Sequence, residues 1–425
     1  MKSWKSFVIP LALSCAWCTA LSQDSKVVIL DHADSLIGMV IDGQQVRELI
    51  GNVRIRQGQT SIACDRALEY RETGTVFLNG HVVLTDDSVT IRAPRGTFYR
   101  EPRRAEAFED VYLNDGKIQL HSRYAEYQIG NRKAFFRDEV EVHDSTSILY
   151  ADSLTYFRDE RRTVATGNVR IRYKTDNVTI TGGHVENWAN RDFSRVMVRP
   201  VFMQIDTTVF GDMDTLIVRS RMMEAYRDST QHMIAIDSVR IVRADLAARA
   251  GRADFYTKAD SILLRRSPVI WYETTQVTGD SVDVLLEKRL LKLVRVMGRA
   301  FALSQSDSLH PLKVDQLSGE KMNMHFAQKK LNAIDVENRS TSVYHLYEDR
   351  EPNGLNKISG DGIAMEFVDG KIGSIRIYGG VEGQYFPERL VKGKEEDFHL
   401  PGFVQRTDRP RIWENTTEKP TKKKR

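Results

Sequence analysis

The chain has 425 residues, 41% of them hydrophobic and 28% charged, with a formal net charge of +4. Such a composition rules out global disorder and leaves room for a sizeable core. The small net charge gives no basis for a nucleic-acid partner, because the only basic run, 422–425, reads as a solvated tail.

Residues 1–22 have the form of a signal peptide. Lys2 and Lys5 precede an apolar stretch at 7–16, and Ala20, Leu21 and Ser22 form a small-residue cleavage site before Gln23. The mature chain is therefore expected outside the cytoplasm. Cys15 and Cys18 have redox-motif spacing but would be lost with the leader. Cys64 would then stand alone, which excludes an internal disulfide and a cysteine-based metal cluster. No later stretch reaches the roughly 18 uninterrupted apolar residues that a membrane-spanning helix needs.

Two strand-like pieces, 27–30 and 36–41, open the mature chain. After them Val53, Val82, Val111, Val140 and Val169 follow one another at intervals of 29 residues, each opening an apolar/polar alternation such as Gly-Asn-Val53-Arg-Ile55-Arg. A fixed period of this size means one supersecondary unit copied and stacked, because a single copy cannot bury its own apolar face. A second landmark follows in each copy: an apolar residue, a small one two places on, and an aromatic six further, as in Ile62/Cys64/Tyr70 and Ile91/Ala93/Tyr99. Leu120/Ser122/Tyr127 is one residue shorter. In this column Cys64 reads as a small buried filler.

A third apolar piece closes each copy, with turn residues between pieces at Asn79-Gly80, 114–116, 130–131 and Gly182-Gly183. Three strands of about six residues account for the period. The ladder goes on at Val201, Val239 and Val269 and blurs beyond Arg299; only 285–296 has ambiguous, helix-like spacing. The expected organisation is signal peptide 1–22, a repeat array over 23–300, looser or capping repeats over 301–390, and a largely disordered tail over 391–425.

Each strand carries one apolar and one charged face, so each has a buried and a wetted side. The pieces are too short, and their turns too charged, for an outer-membrane barrel. The array is therefore expected to be all-β, an elongated stack of two narrow facing sheets or three-sided coils around a long apolar interior. Its own side chains fill that interior, or the sheets splay to leave a groove for something long and greasy; filling is the commoner fate of apolar columns.

The segment Ile29-Leu-Asp-His-Ala33-Asp34, followed by Ile50-Gly-Asn-Val-Arg-Ile-Arg-Gln-Gly58 and Ile62-Ala-Cys-Asp65 with the unit repeated, resembles the OstA-like (organic solvent tolerance) domain family. The likeness is good over 27–205 and fainter to about 390. It implies a V-shaped β-jellyroll that shelters the acyl chains of lipid A and stacks end to end through exposed edge strands. Implied with it are a periplasmic location, with outer-membrane association left open, lipopolysaccharide as ligand, and other OstA-like domains of a transport bridge as partners. Self-association through the edge strands is also left open. By position the groove residues would be Val53, Ile55, Ile62, Val82, Leu84, Ile91, Val111, Leu113, Leu120, Val140, Val142, Leu149, Val169 and Ile171. Core packing is the plainer reading of any one of them. The chain is longer than a bridge protein of that family, and no C-terminal barrel follows.

An enzyme on such a scaffold would need clustered carboxylates or a metal site. Asp86, Asp87, Asp152, Asp159, Glu160, Asp212 and Asp214 are the candidates, but they fall at turns, where aspartate is ordinary turn chemistry. The ten histidines are scattered; His81 and His184 read as surface or edge residues. No enzyme activity, metal or cofactor is therefore expected. The alternatives to a lipid carrier are an adhesin-like or structural stalk with a filled core and, behind it, a polysaccharide-active enzyme.

Overall fold

The computed structural model describes residues 28–412 except 87–88, 176, 208–212, 228–231, 244–245, 257, 288–289, 306–308, 329, 350 and 369–370. The expected signal peptide, Cys15 and Cys18, Asp87, Asp212 and the basic run 422–425 lie outside the described residues. The chain divides into two compact units, here called N-terminal (28–200 with 224–227) and C-terminal (201–223 with 232–412). Both are almost entirely strand, with 28 strands among the described residues.

The N-terminal unit begins with β1 Val28–His32, β2 Ser35–Ile41, β3 Gln44–Gln57, β4 Thr60–Tyr70, β5 Thr75–Asp86, β6 Val89–Tyr99 and β7 Arg104–Asn114. It continues with β8 Gln119–Gln128, β9 Lys133–His143, β10 Ser147–Phe157, β11 Arg162–Tyr173, β12 Val178–Trp188 and β13 Phe193–Met197. From β3 to β13 each strand pairs antiparallel with the next.

Each repeat thus holds two strands of 10 to 14 residues, not three of about six. The sites at Asn79-Gly80 and Gly182-Gly183 that looked like turns lie inside β5 and β12, whereas 115–118 and 129–132 do separate strands. Gly and Asn serve a turn and a bulge equally well, because both tolerate positive φ.

Asn79-Gly80 belongs to one of a series of two-residue β-bulges, whereas Gly182-Gly183 lies opposite the bulge at Val198/Arg199. Gly51/Asn52 have φ of 76° and 46°, Gly80/His81 76° and 44°, Asp138/Glu139 65° and 58°, Gly167/Asn168 75° and 45°. The pairing register shifts at each. A bulge bends its strand, so a column of bulges folds the meander along one line into two facing halves. Val53, Val82, Val111, Val140, Val169 and Val239 are each the first residue after a bulge, a place that Pro200 and Pro268 take before Val201 and Val269. At Gly80 a Cβ would lie 2.2 Å from Asp65 Oδ2, so glycine is required while that aspartate leans over the bend to His81 Nδ1 (2.8 Å). Where the bulge residues are acidic the opposite side chain is a cation: Arg95 meets Glu109, and Arg123 meets Glu139 at 2.8 Å.

In the C-terminal unit the strands are β14 Val201–Thr207, β15 Met213–Arg219, β16 Met222–Tyr226, β17 His232–Arg243, β18 Leu246–Tyr256, β19 Ser261–Arg265, β20 Val269–Tyr272 and β21 Thr275–Thr278. Of these, β16 is divided, with 224–226 in the N-terminal unit. Then come β22 Ser281–Glu287, β23 Leu290–Gln305, β24 Val314–Ala327, β25 Lys330–Glu348, β26 Glu351–Val368, β27 Lys371–Tyr378, β28 Glu382–Pro387 and the single-turn helix α1 Glu388–Val391. Bulges recur at Asp237/Ser238, Gly298/Arg299 and Asn338/Arg339.

Three expectations are corrected here. The ambiguous stretch 285–296 is a hairpin of β22 and β23, and β23 runs straight through the expected boundary at 300. The region 301–390 is not looser: β25 and β26 are 19 and 18 residues long, the longest strands among those described. And 391–412, expected within a disordered tail, packs on the unit as a strap. Val391 and Leu400 are buried against Phe301, Leu303, Val314, Val343 and Leu355.

Two glutamine side chains hold the strap's backbone. Gln316 donates to the Phe398 carbonyl (3.3 Å) and accepts from the Leu400 amide (2.7 Å). Gln276 does the same with Val404 and Arg406, both at 2.7 Å. Each carboxamide imitates one rung of a β-ladder. Lys313, with its side chain 5% exposed, is neutralised by Glu388 at 2.9 Å.

Candidate functional site

Side chains alternate along a strand, so the first and third residues after each bulge face inward. All fourteen residues assigned to the interior are there, none more than 6% exposed. Cross-strand pairing aligns them in two rows. One runs Leu30, Ile55, Ile62, Leu84, Ile91, Leu113, Leu120, Val142, Leu149, Ile171, Ile180, each the direct neighbour of the next across eleven strands. At about 4.8 Å per strand this apolar lane is roughly 50 Å long.

The second row runs along the bend and explains the column of small residues. Val53 faces Cys64, Val82 faces Ala93, Val111 faces Ser122, and Val169 faces Gly182. A branched side chain on one strand needs a small one on its neighbour at the fold line. Burial pushes the Cys64 thiol up to about 11, although hydrogen bonding with the Asn79 and Arg66 backbone pulls the other way. A thiol that stays protonated is a packing group and not a nucleophile.

The charged alternates point outward on this unit. This arrangement is the reverse of a membrane barrel wall, whose apolar face would look out to lipid. No helix among the described residues is long and apolar enough to cross a membrane.

Between the halves lies a cavity of about 40 Å³. Leu84, Ile91, Leu113, Leu120 and Val142 line it from one half, and Ala134, Phe136, Leu154 and Tyr156 from the other. It has room for on the order of three waters. An acyl tail would enter only if the halves part. The lane opens at its β1–β2 end, where the inward Leu30 and Leu36 are 43% and 51% exposed for want of a next rung.

Four polar side chains also line the cavity: Asp86, Tyr127, Arg132 and Arg158. Asp86 closes β5 at one edge of the folded meander; Tyr127 and Arg158 come from the opposite edge, at the ends of β8 and β10. The Tyr127 hydroxyl donates to Asp86 Oδ2 at 2.7 Å, and Arg158 Nη1 lies 3.6 Å from the same oxygen. Thr60 Oγ1 donates to Asp86 Oδ1 at 3.2 Å. Burial, then the hydrogen bond to Asp86, push the Tyr127 phenol well above its ordinary value. The phenol is thus a permanent donor.

Sequence reading missed this cluster, although the sequence carries one sign of it. Tyr127 comes one residue early in the aromatic landmark, and a one-residue shift moves a side chain to the other face of its strand. Tyr70, Tyr99, Phe157 and Trp188 occupy the outward row with Gln128, whereas Tyr127 pairs in the inward row with Ala105 and Ala134. The outward row stacks cations on rings, with Arg104 4.4 Å from the Tyr99 centroid and Arg162 4.1 Å from that of Phe157.

The other carboxylates are engaged locally. Asp152 takes Asn168 (2.9 Å), Asp159 meets Arg132 (3.4 Å), Glu160 meets Arg162 (2.7 Å), and Asp214 meets Arg243 (2.6 Å). His81, with its side chain 91% exposed, belongs to a bulge, and His184 sits 3.2 Å from Glu186. Among the described residues no three His, Cys, Asp or Glu side chains converge on a common point. A broad cleft of about 1460 Å³ in the C-terminal unit runs along the bulges between Gly279 and Gly319 under the strap. Its cations Arg299 and Arg339 are matched by Asp280 and Glu320.

With the geometry in place, residues 25–183 match the family model described as OstA-like protein. That stretch is similar to the OstA-like family. It spans β1 to the middle of β12 and so contains the whole lane and all fourteen residues assigned to the interior. Among solved structures the chain is similar to LptH of Pseudomonas aeruginosa, the LptA-homologous periplasmic component of the lipopolysaccharide transport device, at 15% identity and a TM-score of 0.26. The likeness covers 33% of this chain and 95% of that one. No curated protein matches.

Proposed function

We propose that the OstA-like stretch is a lipid carrier: it shelters the acyl chains of an envelope glycolipid, with lipopolysaccharide as the expected cargo, on their way through the periplasm toward the outer membrane. The observation that carries this reading is the unbroken apolar row from Leu30 to Ile180. Exposing a tail costs about 0.8 kcal/mol per CH₂, so a tail of a dozen carbons needs shelter along its whole path. A stack of strands supplies such shelter without interruption, where a single pocket does not.

The first strands of the N-terminal unit and the last strands of the C-terminal unit fit a bridge. β1 and β2 pair with the two halves of β3 and leave Ile29, Ile37 and Val40 exposed at 45%, 44% and 70%. At the other terminus β27 and β28 share β26 in the same way, with Ile372, Tyr378 and Tyr385 exposed. Split apolar edges of this kind suit strand addition by another OstA-like domain or a second copy. On this reading the protein is a carrier and not a catalyst.

Mature protein incubated with labelled lipopolysaccharide is expected to retain it saturably, and Leu84→Asp to lose it while the far-ultraviolet spectrum stays β. A folded wild-type protein that retains neither lipopolysaccharide nor a fluorescent fatty acid would leave a filled structural stalk as the better reading, which the small size of the cavity favours.

A further inference from the structure

We propose that Arg158 and Tyr127 form an anion-accepting end of the lane, occupied by the Asp86 carboxylate until the head group of an anionic amphiphile displaces it. The proposal rests on the lipid-carrier reading of the same lane and adds where the charged end of the ligand sits.

Three observations support it. First, all three side chains face inward. Asp86 continues the row of Val82 and Leu84 at two-residue steps, and Tyr127 lies in register between Ala105 and Ala134. Second, they join opposite edges of the folded meander: Asp86 is separated from Tyr127 by 41 residues, yet the two are hydrogen-bonded across the mouth between the halves. Any tail lying in the cavity would have its end beside this contact. Third, the cluster is costly where it stands. The side chains of Arg158 and Asp86 are only 10% and 15% exposed beside an apolar cavity, and a buried ion pair gains little over an apolar core of equal size. A latch of aliphatic residues would close the lane as well for stability alone.

The donor set matches an oxyanion. A guanidinium offers a planar fork and a buried phenol a hydroxyl, and Asp86 presents to them the group a phosphate or carboxylate head would present. Exchange of one oxyanion for another keeps the buried charge compensated, so no unpaired cation is left when the lane fills. Arg132, on the same cavity wall and 3.4 Å from Asp159, adds positive potential at this mouth.

The test compares dodecyl phosphate with dodecanol, two probes with one tail and different heads, by calorimetry on the mature protein. Wild type is expected to bind the phosphate about tenfold more tightly. Arg158→Gln should erase that preference and leave dodecanol binding unchanged. Asp86→Asn, which removes the internal competitor and keeps its shape, should strengthen phosphate binding several-fold; it also serves if Arg158→Gln does not fold. Equal binding of both probes by wild type, or a preference that survives Arg158→Gln, overturns the head-group site and leaves the lane intact. Binding of neither probe removes the lane reading itself.

Discussion

The two units share one device, the mid-strand bulge that folds a meander onto itself, and differ in what they do with the outer face. On the N-terminal unit the second and fourth residues after successive bulges are Arg54 and Arg56, Val83 and Thr85, Tyr112 and Asn114, Glu141 and His143, Arg170 and Arg172, none of them buried. On the C-terminal unit, after the bulges at Arg266/Ser267, Gly298/Arg299 and Asn338/Arg339, the same places hold Val269 and Trp271, Phe301 and Leu303, Thr341 and Val343, and all but Thr341 are buried, whereas Asp237/Ser238 is followed there by Arg240 and the buried Val242. The first outer face meets water, and the second is a further core that needs a lid. Residues 391–412 provide it, with Leu400 seated beside Phe301 and Leu303.

The inner faces differ in the opposite sense. Where the N-terminal unit places Val, Ile or Leu after its bulges, the C-terminal unit places Val239 and Ile241 after Asp237/Ser238 but, on β23 and β25, Ala300 and Ala302, then Ser340 and Ser342. Side-chain volume has moved from inside to outside. We read the N-terminal unit as the one whose stability resides in its lane, and the C-terminal unit as one whose stability depends on a layer laid across its back.

A stop codon at Glu395 tests that contrast most severely. Loss of the strap strips cover from Phe301, Leu303, Val314 and Val343 and removes the carbonyl and amide partners of Gln276 and Gln316. Burial of side chains such as Leu400 stabilises by about 1.5–3 kcal/mol each, so the C-terminal unit should lose on the order of 5 kcal/mol. Hydrogen exchange read by mass spectrometry should show β21–β26 deprotected and β3–β12 unchanged. Equal deprotection of both units would erase the distinction.

Leu84→Ala probes the other side, with an expected loss of about 2–4 kcal/mol in the N-terminal unit as it widens an existing cavity. Chemical denaturation followed by exchange in β5 and β6 measures it, and the C-terminal unit should not respond.

An ionic difference comes next. Asp254, 1% exposed on β18, is held by Arg252 (2.6 Å) and His232 (3.1 Å). Burial alone would raise its pKa, yet the guanidinium and the imidazole outweigh burial and hold the carboxyl below the usual carboxylate range. A depressed folded-state pKa means stability that is present above the unfolded value, near 4, and lost as pH falls through the folded value. Asp254→Asn should cost about 1–3 kcal/mol at pH 7 and progressively less below pH 4. A loss independent of pH would assign it to packing and not to charge.

How far the sequence discloses this arrangement follows from the same physics. The period, the inward valines and the apolar row can be read from it, because alternation ties burial to residue type on strands wetted on one side. The bulges cannot be separated from turns, since Gly80 and Asn52 suit both. The strap is hidden because its hold is side-chain amide to backbone, which leaves no apolar period in 391–412. The latch shows itself only as a one-residue early tyrosine, and its partner Asp86 sits three strands away, looking like a turn residue.

The smallest effect is the most discriminating. Arg54 and Arg172 are exposed on the outer face of the N-terminal unit, so Arg54→Leu and Arg172→Leu should each change stability by less than about 0.5 kcal/mol. The same chemistry on the C-terminal unit is the native state, stable because a strap covers it. Glu141, Arg170 and Arg172, which flank Tyr150 and Ile148 of β10, replaced together by Leu would give the N-terminal unit a comparable apolar outer row with no strap to cover it. That variant should melt at nearly the wild-type temperature but self-associate, as analytical ultracentrifugation would detect, because an uncovered apolar patch seeks a partner. A monomeric triple variant would mean that outer-face polarity does not keep this unit solitary, and that the strap serves the C-terminal unit in some way other than covering its back.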